Sequence, residues 1–500
     1  MINIAFLSLN NYMHWSLQYM RYLLAPLLLL PSLALADSSI WYSDGDPLNT
    51  EPLTPPQIPA GYLGEQQSAC APLDASQPLT LAEVANAALC NNPQTREVWA
   101  SARAQAAVVG IAKSAYLPVV SDNVSADLNW NSPESNRNNP YTGLSNSIVA
   151  SYLLYDFGGR DANLESARQL LAAASATQNT VIQNILLAAV QAYYQVQASL
   201  AALEALRETE RAAEESFRAA DARHRAGVAT PADKLQAQTA LAQATLDRIT
   251  AEGNLKTAYG VLANIMGLQA NQDLKLASAS PVPENPEIVQ DINALIEQAR
   301  TRRPDLVATE AQLKAAEADI EVSKAAAKPN VSVFTGYSFQ DGSNLTSNNN
   351  SAVGINVEIP IFNGYASTYQ IRSAQAIADL RAAQRDTLRL QISLDVWRAY
   401  HNLRTSAQSI SAARTLVESA EESSRVAFGR YKAGVGNILD VLNAQSALAE
   451  ARQQFVQASL NWNIARAALA QSMGALDNAM IQSLPTNPDN TTPQARIQQP

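Results

Sequence analysis

The segment His-Arg-Ala-Gly-Val at residues 224–228 returns as Tyr-Lys-Ala-Gly-Val at residues 431–435, which is 207 residues further along the chain. The same spacing pairs other residues: Asp233 with Asp440, Leu235 with Leu442, Gln238 with Gln445, Met266 with Met473 and Gly267 with Gly474. Upstream the spacing becomes 211, which pairs Pro93 with Pro304 and Pro118 with Pro329. A register that persists over more than a hundred residues indicates an internal duplication. The change of four residues predicts one loop of different length.

Each repeat starts with an alanine-rich helical stretch and continues with two segments that alternate between apolar and polar residues. The helical stretches are residues 79–116 and 288–327, and a proline interrupts each near its start. The alternating segments are residues 120–130 and 148–154 around the polar loop 131–143, and residues 331–339 and 353–361 around the turn-rich loop 341–351. A period of two is typical of strands, so the pattern predicts one β-hairpin per repeat.

A very long helical stretch follows each hairpin. Residues 160–226 contain neither glycine nor proline, and residues 365–433 contain only Gly429. At 1.5 Å per residue, each stretch predicts a helix about 100 Å long. Both end at Ala-Gly-Val, where a glycine can take the left-handed conformation that closes a helix. Shorter helices at residues 231–266 and 438–473 then return, which predicts two antiparallel helical hairpins.

Four strands are too few to form a closed barrel from one chain. Unpaired strand edges do not occur in the lipid core, and outer-membrane barrels have at least eight strands. The strand count therefore predicts that several chains share one barrel, with long helices extending from it.

The composition excludes several functional classes. The chain of 500 residues has a net charge of −10, which argues against a nucleic-acid-binding surface. Its three histidines and two cysteines match no metal-ligand spacing. We find no Ser-His-Asp set and no glycine-rich phosphate loop, so we expect no enzyme, no cofactor and no metal.

The N-terminal region reads as an export signal. A single basic residue, Arg21, precedes an apolar run and an Ala-Leu-Ala site at residues 34–36, the order of a secretory signal peptide. No basic residue precedes Met20, so translation is also consistent with a start there. Cleavage after Ala36 leaves a mature chain that begins with a polar, proline-rich leader.

Export makes a disulfide possible between the two cysteines, Cys70 in the leader and Cys90 at the end of the first helical stretch. Such a bridge would tie the leader to that helix. The alternative is two unpaired thiols.

The whole pattern resembles the outer-membrane efflux protein family, the TolC-like channels. The resemblance rests on the duplicated order of elements, the opening LTLAEVANAALCNNP, the strand ends LLYDFGGR and IPIFNGY, and the tips HRAGVATPADKLQAQ and YKAGVGNILDVLNAQ. It implies an α+β membrane protein in which three chains share a 12-stranded outer-membrane barrel above a helical tunnel in the periplasm. The implied divisions are residues 1–36 (signal peptide), 37–78 (leader), 79–269 (first repeat), 270–286 (equatorial linker), 287–474 (second repeat) and 475–500 (equatorial segment and disordered tail).

The resemblance also implies a pore gate where the helical hairpins turn. Asp440 matches the family's acidic ring, Asp233 its partner in the first repeat, and Tyr431 the tyrosine that helps to hold the pore shut. Asn443 replaces a second aspartate, and Gly436 stands where the family has a latch arginine, so we expect a weaker ring and a different closed state. An independent interpretation makes both aspartates helix N-terminal acids, which the helix dipole favours.

Two further sets of residues carry predictions. Gly227, Val228, Gly434 and Val435 match the tips at which family members meet a periplasmic adaptor, although the same glycines also predict helix C-caps. The aromatic residues of the strands could form an interfacial belt or serve in strand packing: Trp130, Tyr141, Tyr152, Tyr337 and Phe339.

The implied function is export, as the outer component of a tripartite efflux or type I secretion system. The implied partners are the outer-membrane lipid, a periplasmic adaptor and an inner-membrane pump of the proton-driven or ABC type. A periplasmic adaptor is the alternative, but it should carry one helical hairpin and no duplicated strands. The cargo is not specified by any motif.

Overall fold

The computed structural model describes residues 45–62, 70, 77–129, 141–277, 291–343 and 345–483. The signal peptide and the tail after residue 483 lie outside this part of the chain. Among the described residues, 45–53 form a separate unit, in which the Thr50 hydroxyl donates to Asp46 at 3.1 Å before the 3₁₀ turn Glu51–Leu53. All other elements belong to the second unit.

The second unit contains nine helices and four strands within the described residues. The helices are α1 Leu81–Asn91, α2 Pro93–Ser114, α3 Gly159–Arg225, α4 Pro231–Ile265, α5 Ile292–Arg302, α6 Pro304–Ala326, α7 Ala366–Lys432, α8 Ile438–Ser472 and α9 Asn478–Ser483. The strands are β1 Val119–Asn129, β2 Tyr141–Tyr155, β3 Asn330–Gly342 and β4 Leu345–Glu358.

The duplication is confirmed in the lengths of the helices. Helices α3 and α7 each have 67 residues, and α4 and α8 each have 35. At 1.5 Å per residue, the long pair spans about 100 Å. Thus α1 to α4 with β1 and β2 form the first repeat, and α5 to α8 with β3 and β4 form the second.

Local sequence signals explain where the helices begin and end. Thr80 and Glu83 form a capping box at the start of α1, and Asn92 turns the chain before Pro93 opens α2. At the far end of α3, Gly227 has φ +73°, and the amide of Val228 donates to the carbonyl of Arg223 at 3.0 Å. Gly434 ends α7 in the same way, with φ +81°. The predicted C-caps and helical hairpins are therefore confirmed.

The four strands form one antiparallel sheet in the order β1-β2-β3-β4. Residues that pair directly across the strands share a face, and the register places most of the large apolar side chains of the sheet on one face. One face carries Val120, Val124, Leu144, Ile148, Tyr152, Val333, Tyr337, Val353, Ile355 and Val357. The other carries Ser121, Asn123, Ser125, Ser145, Ser147, Ser332, Ser338, Gln340, Asn350 and Asn356. One side of the sheet is thus mainly apolar, with Asp122, Asn146 and Asn349 as polar exceptions. The other side is mainly polar, with Val149 and Phe334 as apolar exceptions. This distribution suits a wall between lipid and water.

The predicted loop at residues 341–351 is wrong in extent. Strand β4 begins at Leu345, and Asn348 to Asn350 pair with Gln340 to Ser338. The polar residues remain in the strand because pairing uses the backbone, and their side chains are exposed. Strand β4 ends at Glu358, so Ile359 and Ile361 lie beyond it. In the first repeat, β2 begins at Tyr141, inside the predicted loop 131–143.

Helix α3 lies at the centre of the helical region and packs against α2, α4, α6 and α8. Its middle part forms the largest apolar cluster with α1, α4 and α8, in which Ile182, Leu186 and Val190 are fully buried. A second cluster joins α5, α6, α7 and α8 around Ile392 and Val396. Among the described residues, no helix combines the length and apolar character needed to cross a membrane.

Residues 54–62 of the leader, residues 270–277 and residues 475–483 pack on this central region. Cys70 and Cys90 are joined by a disulfide. Trp99 donates to the carbonyl of Pro55 at 3.1 Å, and Leu79 pairs with Leu276 as an isolated parallel bridge. After the second repeat, Ile481 of α9 is buried in the largest cluster.

Candidate functional site at the helical tips

The candidate site lies where the two helical hairpins turn, at the ends of the long helices α3 and α7 that are distant from the sheet. Four helices contribute to one buried cluster there: α3 with Ala220, α4 with Ala237, α7 with Tyr431, and α8 with Ile438 and Val441. The cluster fixes the two hairpins of one chain against each other. We call this region the helical tip.

Tyr431 is the polar centre of the helical tip. Its side chain is 3% exposed, and its hydroxyl has no hydrogen-bond partner in the described part of the chain. Burial raises the pKa of this hydroxyl above its ordinary value; the Arg223 guanidinium lowers it and the Asp233 carboxylate raises it, both by smaller amounts.

Arg223 joins α3 to Tyr431 across 208 residues of sequence. Its Nη1 atom donates to the carbonyl of Tyr431 at 2.7 Å, and its guanidinium lies 4.8 Å from the centre of the tyrosine ring. The contact combines a charge-assisted hydrogen bond with a cation–π interaction. It also satisfies a carbonyl in the last turn of α7, where a positive charge is favoured by the helix dipole.

Arg223 was not predicted from the sequence as a residue of the tip. Because Gly436 occupies the position of the latch arginine, we expected a different closed state. The structure shows why position 436 leaves no room for a side chain: a Cβ atom there would lie 2.9 Å from the backbone nitrogen of Tyr431. The available signal was the repeat itself, since Arg223 precedes His224 as Arg430 precedes Tyr431.

The two aspartates differ in their surroundings. Asp233 completes a capping box with Thr230, whose backbone nitrogen donates to its carboxylate at 3.0 Å. Asp440 lies in the first turn of α8, is exposed, and makes no ion pair among the described residues. The structure therefore supports the helix N-terminal interpretation for Asp233, and leaves the Asp440 carboxylate available to solvent.

The predicted adaptor-contacting residues form the outermost surface of the turns. Val228 and Val435 are 64% and 70% exposed, and Gly227 and Gly434 are exposed beside them. Each turn therefore presents one exposed apolar side chain at this end of the helical region. Of the aromatic residues, Tyr152, Tyr337 and Phe339 lie on the mainly apolar face of the sheet, Trp130 lies outside the described residues, and the Tyr141 side chain is not described.

A sheet with one lipid-compatible face, continued by helices about 100 Å long, defines a class of envelope-spanning channel. Comparison with known proteins identifies the family. The model of the family described as outer membrane efflux protein matches residues 84–268 and 295–475. These two ranges correspond to the two repeats.

Relatives of this chain match over most of their length. Protein CyaE of Bordetella pertussis is 31% identical over 423 residues, which cover 83% of this chain and 88% of that protein. The outer membrane protein TolC of Vibrio cholerae is 28% identical, with 81% of this chain and 92% of that protein covered. The solved structure of the outer-membrane channel OprN has the same fold, with a TM-score of 0.71 at 21% identity over 85% of this chain and 99% of that one.

The chain belongs to the outer membrane efflux protein family. It is an outer-membrane channel protein of the export machinery, with its sheet in the outer membrane and its helices in the periplasm. The comparisons support this role and not that of a periplasmic adaptor.

Proposed function

We propose that three copies of this chain form a 12-stranded barrel and a continuous tunnel through which cargo leaves the periplasm. The single observation that carries the proposal is the sheet. It has four strands, an apolar face, a polar face, and two edges, β1 and β4, that each have one strand neighbour among the described residues. In lipid, those edges need partners, and further copies of the sheet provide them.

The helical tip is proposed as the gate and as the docking end. Three Asp440 carboxylates would form a ring in the narrowest part, with Asp233 and Tyr431 supporting the turn behind it. Gly227, Val228, Gly434 and Val435 would contact a periplasmic adaptor, because they are exposed at the ends of both hairpins. The adaptor would connect the tunnel to an inner-membrane pump of the proton-driven or ABC type.

The chain would act as the outer component of a tripartite efflux or type I secretion system. One face of the sheet is rich in serine and asparagine, whose side chains suit a water-filled lining and do not select one cargo. Cargo choice would therefore lie with the pump. Catalysis, cofactors and nucleic-acid binding play no part in this proposal.

The proposal is tested by native mass spectrometry of the detergent-extracted protein, combined with circular dichroism. We expect a trimer that retains its β-structure. A stable monomer with an intact sheet would contradict the shared barrel.

A further inference from the structure

The joint between the sheet and the long helix contains two successive residues with positive φ in each repeat. In the first repeat they are Phe157 and Gly158, with φ +56° and +87°. In the second they are Gly364 and Tyr365, with φ +68° and +67°. The spacing of 207 pairs Phe157 with Gly364 and Gly158 with Tyr365. Each repeat therefore uses one glycine and one aromatic residue at this joint, in opposite order.

An aromatic side chain is unfavourable in this conformation. The left-handed region brings Cβ close to the following carbonyl oxygen, and glycine avoids that contact because it has no Cβ atom. A glycine at position 157 would form the same turn without strain, as Gly364 does in the second repeat. Backbone strain of this kind clusters where a side chain has a function. The ring of Phe157 therefore contributes something that the turn itself does not need.

The Phe157 ring extends the mainly apolar face of the sheet towards the helices. Tyr155 pairs with Val331, which lies two residues from Val333 and shares its face. The ring centres of Tyr155 and Phe157 are 4.8 Å apart, and 54% and 42% of these residues are exposed. Because the sheet lies in the outer membrane and the helices in the periplasm, this aromatic pair lies at the periplasmic boundary of the membrane.

Lys328 places a cation beside the aromatic pair. It lies in the turn between α6 and β3, and its Nζ atom is 5.6 Å from the centre of the Phe157 ring. Its ammonium group makes no hydrogen bond or ion pair within the part of the chain that the structure describes. Lys324, one turn earlier on α6, instead pairs with Glu321 at 2.7 Å. The charge of Lys328 is thus available to an anion from outside the chain.

The carboxylates of the same joint have partners of their own. Asp156 pairs with Arg160 at 3.3 Å and accepts a hydrogen bond from its backbone nitrogen at 2.8 Å. Asp161 accepts a hydrogen bond from the hydroxyl of Tyr116. Neither carboxylate forms an ion pair with Lys328, so the joint offers an anion one uncompensated positive charge next to two exposed rings.

We infer that Lys328 and the Tyr155–Phe157 pair bind an anionic phospholipid at the periplasmic surface of the outer membrane. The ammonium group attracts the lipid phosphate. The two rings lie at the depth of the headgroups, where aromatic side chains are favoured, and the strained backbone of Phe157 holds its ring there. The combination is not repeated in the chain, because Gly364 is the equivalent of Phe157 and Leu117 the equivalent of Lys328.

The inference requires the sheet to lie in the membrane, and it does not depend on how many copies form the barrel. Lipid retention in native mass spectrometry tests it. The detergent-extracted protein is incubated with equal amounts of phosphatidylglycerol and phosphatidylethanolamine, and bound lipid is counted per chain. The variants are Lys328→Gln and the conservative Lys328→Arg. Lys324→Gln is the matched control, because that lysine is on the same helix end and already paired.

We expect the parent, Lys328→Arg and Lys324→Gln to prefer phosphatidylglycerol about fivefold, as one lysine at a membrane surface provides. Lys328→Gln should lose this preference, and an unchanged preference in that variant would overturn the inference. Excess inorganic phosphate should leave the lipid bound. Displacement of the lipid by phosphate would show a site for free phosphate and would also overturn the assignment to the membrane.

Phe157→Gly tests why the strained ring is kept. The variant should retain less phosphatidylglycerol than the parent, whereas its unfolding midpoint in detergent should stay within about 4 °C, because glycine removes the strain. A larger fall in the midpoint would show that the ring is kept for packing within the fold. Lipid binding as expected in a protein that forms no trimer would leave this inference intact and contradict the proposed function.

Discussion

In the first repeat, an ion pair joins the sheet to the long helix, whereas the matching joint of the second repeat is uncharged. Arg160 pairs with Asp156 at 3.3 Å and donates to the carbonyl of Leu153 at 2.8 Å. The equivalent positions in the second repeat are Asn363 and Ser367, which share a neutral hydrogen bond. Both joints begin a helix of 67 residues, so the backbone plan does not depend on which polar pair is present.

Each repeat also has a break between its two short helices, α1 and α2 or α5 and α6. Here the charged contact lies in the second repeat and the neutral contact in the first. In the first repeat, the Asn92 amide donates to the carbonyl of Ile265 at 3.1 Å. In the second, Arg303 reaches the equivalent carbonyl, that of Ser472, at 3.5 Å and forms ion pairs with Asp305 at 2.6 Å and Asp395 at 2.9 Å. In both repeats, therefore, the equivalent backbone carbonyl accepts a hydrogen bond, but a different type of side chain donates it.

The comparison shows that helix length, caps and strand register define the architecture, and that polar contacts were free to diverge. A substitution at a feature that both repeats share should destabilise the protein to a similar extent in either repeat. A substitution at a feature that only one repeat has should affect that repeat and leave the other unchanged.

The largest effect is expected at the glycines that end α4 and α8, Gly267 and Gly474. Both have φ +70°, and an added Cβ atom would lie 2.5 Å from the carbonyl oxygen of Asn91 or 2.9 Å from Cα of Arg303. Substitution by alanine at either position should destabilise the fold by about 2–5 kcal/mol through backbone strain and overpacking. Thermal unfolding followed by circular dichroism measures the loss.

Gly253 provides the control for these variants. It lies inside α4, and an added Cβ atom would meet nothing within 4 Å. Gly253→Ala should therefore be neutral or stabilise by up to about 1 kcal/mol. Tolerance of alanine at position 267 but not at position 474 would show that the repeats are not packed alike.

The disulfide is specific to the first repeat, because Thr301 occupies the position equivalent to Cys90. The bridged residues are 20 apart, so removing the bridge with Cys70→Ser and Cys90→Ser should cost about 3 kcal/mol. Hydrogen exchange should increase in α1 and remain unchanged in α5. Alkylation of the mature protein without reductant should add no mass, and labelling of both thiols would show that the bridge is not formed.

Arg303 should contribute more than Asn92. Arg303→Met leaves Asp305 and Asp395 without their common cation and should cost about 1–3 kcal/mol. Asn92→Ala removes a helix cap and one amide hydrogen bond and should cost about 1 kcal/mol. Denaturation of the two variants in parallel provides the comparison, and equal losses would show that the charge adds nothing to the shared contact.

The smallest free-energy change is expected at the helical tip, where a substitution should alter ion conduction and not the stability of the fold. Asp440→Asn should reduce the preference for cations roughly fivefold, which corresponds to about 1 kcal/mol for a charge in a watery constriction. Asp233→Asn is the matched variant, and it should leave selectivity nearly unchanged because Asp233 is engaged in a capping box. Reversal potentials in planar bilayers give both values. Unchanged selectivity in the Asp440 variant would place the constriction elsewhere.

Most of the fold could be predicted because its signals are local or periodic. The absence of glycine and proline over residues 160–226 predicts α3 to within a residue, and the repeated Ala-Gly-Val predicts both turns. The ends of the strands were harder to predict. The polar residues 348–351 resemble a loop in composition, but they pair with β3, and pairing depends on the neighbouring strand rather than on side-chain polarity.

The candidate site was predictable only in part. The positions of Asp233, Asp440 and the tip glycines follow from the repeat, and their roles in gating and docking remain predictions. The contact between Arg223 and Tyr431 could not be derived from local pattern, since the residues are 208 apart. The same holds for Gly436, whose lack of a side chain is explained only by the backbone that lies against it.

The amino-acid sequence by itself determined the duplication, the lengths of the helices, the places where they stop and the alternation of the strands. These features arise from propensities and caps that act within a few residues. The tertiary structure alone decided which polar groups meet and that Arg223 contacts Tyr431 at the helical tip. Such contacts depend on how distant helices approach one another in space, and no short-range pattern records that distance.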